Sequence, residues 1–207
     1  MKIKICGITN FDDAARAVDC GADLLGFIFY PASPRYVSPE TVGAIISDLP
    51  ANVETVGVFV DETTADMLSV ARFAGVHTLQ LHGREPPEQM RELTGLNLLK
   101  AVTLTSSEDL RNLEIYTPYT LLVDTPSLVH GGSGRTGNWE LARAAGESNR
   151  IFLAGGLNAD NVAAAVATVQ PCGVDVSSGV ESSKGIKDHG KIKAFIDAVR
   201  SAAGVET

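Results

Sequence analysis

RIFLAGGLNADNVAAAVATVQPCGVDVS, residues 150–177, is the stretch whose reading decides the fold. A short apolar run, RIFLA (150–154), stops at a glycine pair; Asn158 then stands as a helix start before ADNVAAAVATV, and a second β-rich run, GVDVS (173–177), closes the unit. Two strands joined through a helix run parallel, because antiparallel neighbours need only a tight turn whereas parallel ones need a crossover. Outward from this unit the same alternation fills the chain. Six further runs precede it: KIKIC (2–6), LLGFIFY (24–30), ETVGVFV (54–60), TLQLH (78–82), NLLKAV (97–102) and TLLVD (120–124). A stretch with helical spacing follows each run. Asn10 before FDDAARAVDC and Ser38 ahead of Pro39 mark two more helix starts, and Gly21 marks the end of the first helix. No composition break or linker interrupts the pattern. Eight βα units predict an α/β protein, a single (β/α)8 TIM barrel of parallel strands over residues 1–207; an open doubly wound sheet is the alternative. Residues 126–137, PSLVHGGSGRTG, form the longest irregular stretch and read as a lid rather than a linker.

Composition narrows the function classes. With 44% hydrophobic and 20% charged residues, the 207-residue chain has the balance of a soluble globular protein. No apolar run approaches the roughly 20 residues that span a bilayer, and the chain enters a strand pattern without the apolar stretch of a signal peptide. The expected location is the cytoplasm. A net charge of -8 argues against nucleic acid and anionic membrane as partners, although a small anion can still bind through local donors. Cys6, Cys20 and Cys172 are an odd number without close spacing, which indicates neither a disulfide framework nor a thiolate metal site.

In a closed barrel, chemistry belongs at the C-terminal ends of the strands. Cys6 ends the first run. It reads either as a small buried hydrophobe or, at the catalytic rim, as a proton acceptor or nucleophile. Asp124 ends the sixth run; it can cap a turn, or burial can raise its pKa until it donates a proton. An acid and a base on opposite walls suit isomerisation through an enol-type intermediate. Gly155 and Gly156 follow the seventh run, and Ser178 and Gly179 the eighth. Those two loops are where such barrels commonly hold phosphate, so the expected partner is a phosphorylated small molecule. GGSGRT (131–136) lacks the spacing and lysine of a Walker A loop. Arg35, in the loop after the second run, is either a solvated charge or a planar fork for a substrate carboxylate. His82 ends the fourth run, with a structural histidine as the default; no second ligand stands at metal spacing, and neither metal nor organic cofactor is expected. Asp175, within the eighth run, can face the barrel mouth. Period-two alternation puts Lys4 on the same face as Cys6, one layer below, where it needs Asp124 or Asp175 as a partner and would favour the thiolate. Cys20 and Cys172 read as packing.

Taken together, KICGIT (4–9), GFIFYPASPR (26–35), QLHG (80–83), LLVDT (121–125), GGSG (131–134), LAGGLNADNV (153–162), VDVSSGVE (174–181) and GIKD (185–188) closely resemble the phosphoribosylanthranilate isomerases of tryptophan biosynthesis. The resemblance implies a barrel without metal or cofactor that carries out an Amadori rearrangement of N-(5-phosphoribosyl)anthranilate. It also implies Asp124 as general acid and Cys6 as general base. Arg35 would hold the anthranilate carboxylate, His82 and Asp175 would line the aromatic and sugar side, and Gly155, Gly156, Ser178 and Gly179 would bind phosphate. One departure stands in the lid, where Gly137 and Asn138 precede Trp139 in place of the family's usual aromatic and acidic residues. A non-catalytic phosphosugar-binding barrel, or another phosphosugar isomerase or epimerase, is the alternative; an epimerase would need metal-ligand histidines that His77, His82, His130 and His189 do not provide. Monomer and homodimer are both open.

Overall fold

Eight parallel strands close into a barrel in the order β1 to β8, each paired with its sequence neighbour and β8 with β1. The computed structural model describes residues 1–93, 95–124 and 138–204. The strands are β1 (Lys2–Cys6), β2 (Leu24–Ile28), β3 (Glu54–Phe59), β4 (Thr78–Leu81), β5 (Asn97–Thr103), β6 (Thr120–Asp124), β7 (Ile151–Ala154) and β8 (Gly173–Val176). Each falls on one of the eight runs, and the closed barrel rules out the open sheet.

The helices around it are α1 (Phe11–Asp19), α2 (Pro39–Ser47), α3 (Thr64–Ala74), α4 (Pro87–Glu92), α5 (Trp139–Gly146), α6 (Val162–Val169) and α7 (His189–Ala202). Asn10 and Ser38 cap α1 and α2 as expected, their side chains accepting from the backbone N–H of Asp13 and Thr41. Three features differ from the sequence reading. The segment after β5 is a 3-10 run, Asp109–Tyr116. Asp109 there accepts the backbone N–H groups of Thr105 and Ser106 and the Thr105 hydroxyl, local bonds that compete with an α-helix. Asn158 caps a turn, accepting from Asp160 and Asn161, and α6 begins only at Val162. Between β8 and α7 the chain inserts a short 3-10 turn (Ser178–Val180) and an unforeseen hairpin, β9 (Glu181–Ser183) with β10 (Ile186–Lys187).

Two apolar layers hold the barrel together. Outward-facing residues such as Ile3, Ile5, Phe27, Leu79 and Leu81 pack under the helices, while Leu24, Val56, Leu99, Leu122, Phe152 and Ala154 fill the interior. A fully buried Leu or Phe stabilises by about 1.5–3 kcal/mol, so this interior is a packed core and not a pore. Its filled floor supports a cavity at the C-terminal ends of the strands. No helix among the described residues is long and apolar enough to cross a membrane.

Candidate active site

The cavity, of about 350 Å³, is lined by Cys6, Arg35, His82, Asp124, Asp175, Gly155, Gly156 and Ser178, with Gln80, Tyr30 and Ser177 among its other walls. Eight of the nine residues singled out from the sequence therefore meet in one place. The ninth, Gly179, does not line it. A Cβ there would run into the Leu157 carbonyl, so Gly179 lets the β8 loop pack directly on the β7 loop. Gly155 and Gly156 adopt φ of 90° and 64°, a left-handed backbone that favours glycine, and Asn161 Nδ2 donates to the Gly156 carbonyl at 3.0 Å. The two loops thus bring glycine backbone beside the N-terminus of α6, an arrangement suited to an anion.

Cys6 and Lys4 sit on neighbouring layers of β1, as the alternation requires. Lys4 is fully buried, and its Nζ donates to Asp175 Oδ1 at 2.7 Å; β1 and β8 hold Lys4 and Asp175 side by side in register. Asp175, and not Asp124, is therefore the partner that the lysine needs. Burial works to lower the Lys4 pKa, but Asp175 and Cys6 outweigh it and the ammonium is held charged. The Cys6 thiol is pushed up by burial, with Asp175 adding to the rise and Lys4 and Lys187 opposing it. Lys4 does favour the thiolate, as expected, but desolvation wins and the resting group is the thiol.

Gly26, paired in register with Cys6, makes this arrangement possible. A Cβ on Gly26 would stand 2.8 Å from Cys6 Sγ and 3.0 Å from Lys4 Nζ. The space that the thiol and ammonium share is the space of the missing side chain.

Across the barrel, burial raises the Asp124 carboxyl, with Asp175 adding to the effect and His82 opposing it. His82 Nε2 lies 4.0 Å from Asp124 Oδ2, and burial lowers the imidazole's pKa against the pull of the carboxylates, so the ring is neutral near pH 7. A protonatable carboxyl and a thiol then stand in the walls of one cavity. Among the described residues no three of His, Cys, Asp and Glu converge to hold a metal ion.

Arg35 is half-buried and paired rather than a free surface charge. Its Nε and Nη2 donate to the two oxygens of Glu181, each at 2.7 Å, a bidentate pair that fixes the guanidinium plane. Glu181 also accepts from Lys187 Nζ at 3.1 Å, and that buried ammonium reaches the Cys6 carbonyl at 2.6 Å and the Ser177 carbonyl at 3.1 Å. Burial tends to raise the Glu181 carboxyl, but Arg35 and Lys187 hold it below the usual range. One carboxylate on the hairpin thus ties Arg35 to the ends of β1 and β8. Neither Glu181 nor Lys187 was singled out from the sequence, although VDVSSGVE and GIKD contain them. The stretch 126–137 that reads as a lid, with GGSG, lies outside the described residues; Asn138, which follows it, caps α5 with its side chain by accepting from Leu141 N–H.

A sequence model described as N-(5'-phosphoribosyl)anthranilate isomerase matches residues 3–198. The N-(5'-phosphoribosyl)anthranilate isomerase of Pelobacter propionicus is 46% identical over 209 residues, covering 100% of this chain and 99% of its own. Among solved structures, a phosphoribosyl anthranilate isomerase in complex with reduced 1-(o-carboxyphenylamino)-1-deoxyribulose 5-phosphate superposes with a TM-score of 0.89 at 40% identity, covering 97% of this chain and 99% of that one. Monomers generated from the dimeric phosphoribosylanthranilate isomerase of Thermotoga maritima superpose with a TM-score of 0.87 at 41% identity, covering 97% of this chain and 99% of that one.

Proposed function

This chain belongs to the N-(5'-phosphoribosyl)anthranilate isomerase family, and we propose that it performs an Amadori rearrangement with Asp124 as general acid and Cys6 as general base. It is an isomerase of tryptophan biosynthesis, acting on N-(5'-phosphoribosyl)anthranilate to give 1-(2-carboxyphenylamino)-1-deoxyribulose 5-phosphate. The observation that carries the assignment of roles is the pairing of a carboxyl raised by burial, at the end of β6, with a thiol beside a buried ammonium, at the end of β1, in one cavity.

In the first step Asp124 protonates the furanose ring oxygen. The C1–O bond breaks as the anilino nitrogen lone pair forms the C1=N bond of a protonated Schiff base. In the fraction of molecules whose Cys6 thiol has given its proton to solvent, the thiolate beside Lys4 then removes the proton from C2, and those electrons close a C1=C2 enolamine. Protonation at C1 and loss of the C2 hydroxyl proton give the ketone, and exchange with solvent returns Asp124 and Cys6 to their starting forms. Proton transfer of this kind contributes about 10²- to 10⁴-fold per group.

Binding follows from the remaining walls. The loops with Gly155, Gly156, Ser178 and Gly179 hold the phosphate through backbone N–H groups at the start of α6. Arg35, its plane fixed by Glu181, meets the anthranilate carboxylate with its remaining donors, and His82 and Asp175 flank the aromatic and sugar portions. The chain works without metal or cofactor, as one catalytic unit in the cytoplasm, as monomer or homodimer. Adding freshly made N-(5'-phosphoribosyl)anthranilate to the purified protein tests the reading: its fluorescence should decay in proportion to enzyme. No decay above the spontaneous rate would refute it.

A further inference from the structure

Gln80 is a buried amide in the wall of the cavity that the mechanism above leaves without a task. It lies two residues before His82, so period-two alternation turns both side chains to the same side of the barrel. Its register neighbours, Val58 and Leu99, are apolar and offer no competing side-chain partner. Gln80 Nε2 lies 2.7 Å from His82 Nδ1, while Gln80 Oε1 has no partner among the described residues. An amide nitrogen can only donate, so His82 Nδ1 must accept. A neutral imidazole that accepts at Nδ1 carries its single proton on Nε2, and Nε2 is the nitrogen that faces Asp124 Oδ2 at 4.0 Å.

We propose that Gln80 is a positioning residue that fixes His82 as the Nε2–H tautomer, so that the imidazole offers Asp124 a hydrogen-bond donor when its carboxyl gives up a proton. The second half rests on the reading of Asp124 as the acid. At 4.0 Å the N–H and carboxyl are just beyond hydrogen-bond range, and ionisation of Asp124 draws them together. With the opposite tautomer an imidazole lone pair would face the new carboxylate and oppose ring opening. Burial holds the His82 ring neutral, so the choice of tautomer, and not its charge, decides what it presents.

The test uses protein labelled with ¹⁵N-histidine and ¹H–¹⁵N correlation through two bonds, which distinguishes the tautomers, with the His82 signals assigned by their loss in His82→Asn. Wild type should show His82 in the Nε2–H form alone. Gln80→Glu replaces the donor by an acceptor, which should flip the ring to Nδ1–H and lower kcat by about tenfold or more with KM little changed. Gln80→Met, with neither donor nor acceptor, should give both tautomers and an intermediate kcat, and it serves if the glutamate variant does not fold. Wild-type His82 in the Nδ1–H form would overturn the proposal by showing that the amide presents Oε1 instead. A flipped ring with undiminished kcat would overturn its catalytic half. An Nε2–H ring in a protein that does not turn over the substrate would leave the pinning in place and refute only the function it rests on.

Discussion

Gly26→Ala should disable the base while leaving the phosphate loops untouched. The new Cβ would lie 2.8 Å from Cys6 Sγ, 3.0 Å from Lys4 Nζ and 3.1 Å from Cys6 Cα. Non-bonded heavy atoms settle at about 3.5–4.0 Å, so each neighbour must retreat by roughly 0.5–1 Å. The Cα cannot rotate away, which forces either a shift of β1 or a departure of Cys6 and Lys4 from their staggered rotamers. Overpacking of this kind costs about 1–3 kcal/mol. For a chain of this length that lowers Tm by about 2–12 °C. A thiol misplaced by roughly 1 Å should reduce kcat on the order of 10²-fold. KM should change far less than kcat, because the phosphate loops follow β7 and β8 while the displaced thiol stands on β1. Fluorescence-based turnover over a range of substrate concentrations, with a thermal melt of the same sample, reads all three quantities. A Gly26→Ala protein with lowered Tm but wild-type kcat would refute the claim that this space is reserved for a working thiol.

The proposed mechanism requires Asp124 protonated and Cys6 ionised at once. With the carboxyl titrating below the thiol, that population rises with pH up to the Asp124 pKa, stays level, and falls above the Cys6 pKa. Burial lifts both groups, so both limbs of the kcat/KM profile should lie on the alkaline side of ordinary carboxyl and thiol values, and Asp124→Asn should remove most of the activity and leave the remainder rising past the wild-type acid-limb break to the Cys6 pKa, with no alkaline fall. An unchanged acid limb in that variant would assign it elsewhere. Gly179→Ala, whose Cβ meets the Leu157 carbonyl, should spread the phosphate loops and raise KM about tenfold or more, together with the Ki of inorganic phosphate. Unaltered phosphate inhibition would contradict this. Glu181→Gln removes the carboxylate shared by Arg35 and buried Lys187, so it should cost about 3 kcal/mol in denaturant unfolding and raise KM more than it lowers kcat. Because the folded-state pKa of Glu181 is depressed, the difference from wild type should be full at neutral pH and shrink as pH falls through that depressed value.

Much of this was legible along the chain, for physical reasons. Strand runs bounded by turn glycines are local signals, and a count of eight closes a barrel. Strand ends then mark the catalytic face, which is how Cys6, Asp124 and His82 stood out. Alternation placed Lys4 beneath Cys6, but choosing Asp175 over Asp124 required the β1–β8 register. What stayed hidden depends on contacts between distant residues. Arg35 finds Glu181 146 positions away, and Lys187 reaches the Cys6 carbonyl across 181. Gly26 looks like any small strand residue until its neighbour in register is known. Gln80 reads as a polar residue in a strand, and only the closed barrel buries it among apolar neighbours where His82 is its partner. The hairpin after β8 is too short for a periodic signal, and the close approach of Gly179 to the Leu157 carbonyl appears only when the two loops meet.

The measurement that bears most directly on the central claim is the kcat of Cys6→Ser on N-(5'-phosphoribosyl)anthranilate. A hydroxyl cannot supply the base that a thiolate with a reference pKa of about 8.5 does, so kcat should fall on the order of 10²-fold or more while KM barely changes. If Cys6 only packs, Cys6→Ser should lower stability by about 1–2 kcal/mol and leave kcat near wild type, and that result would contradict the account.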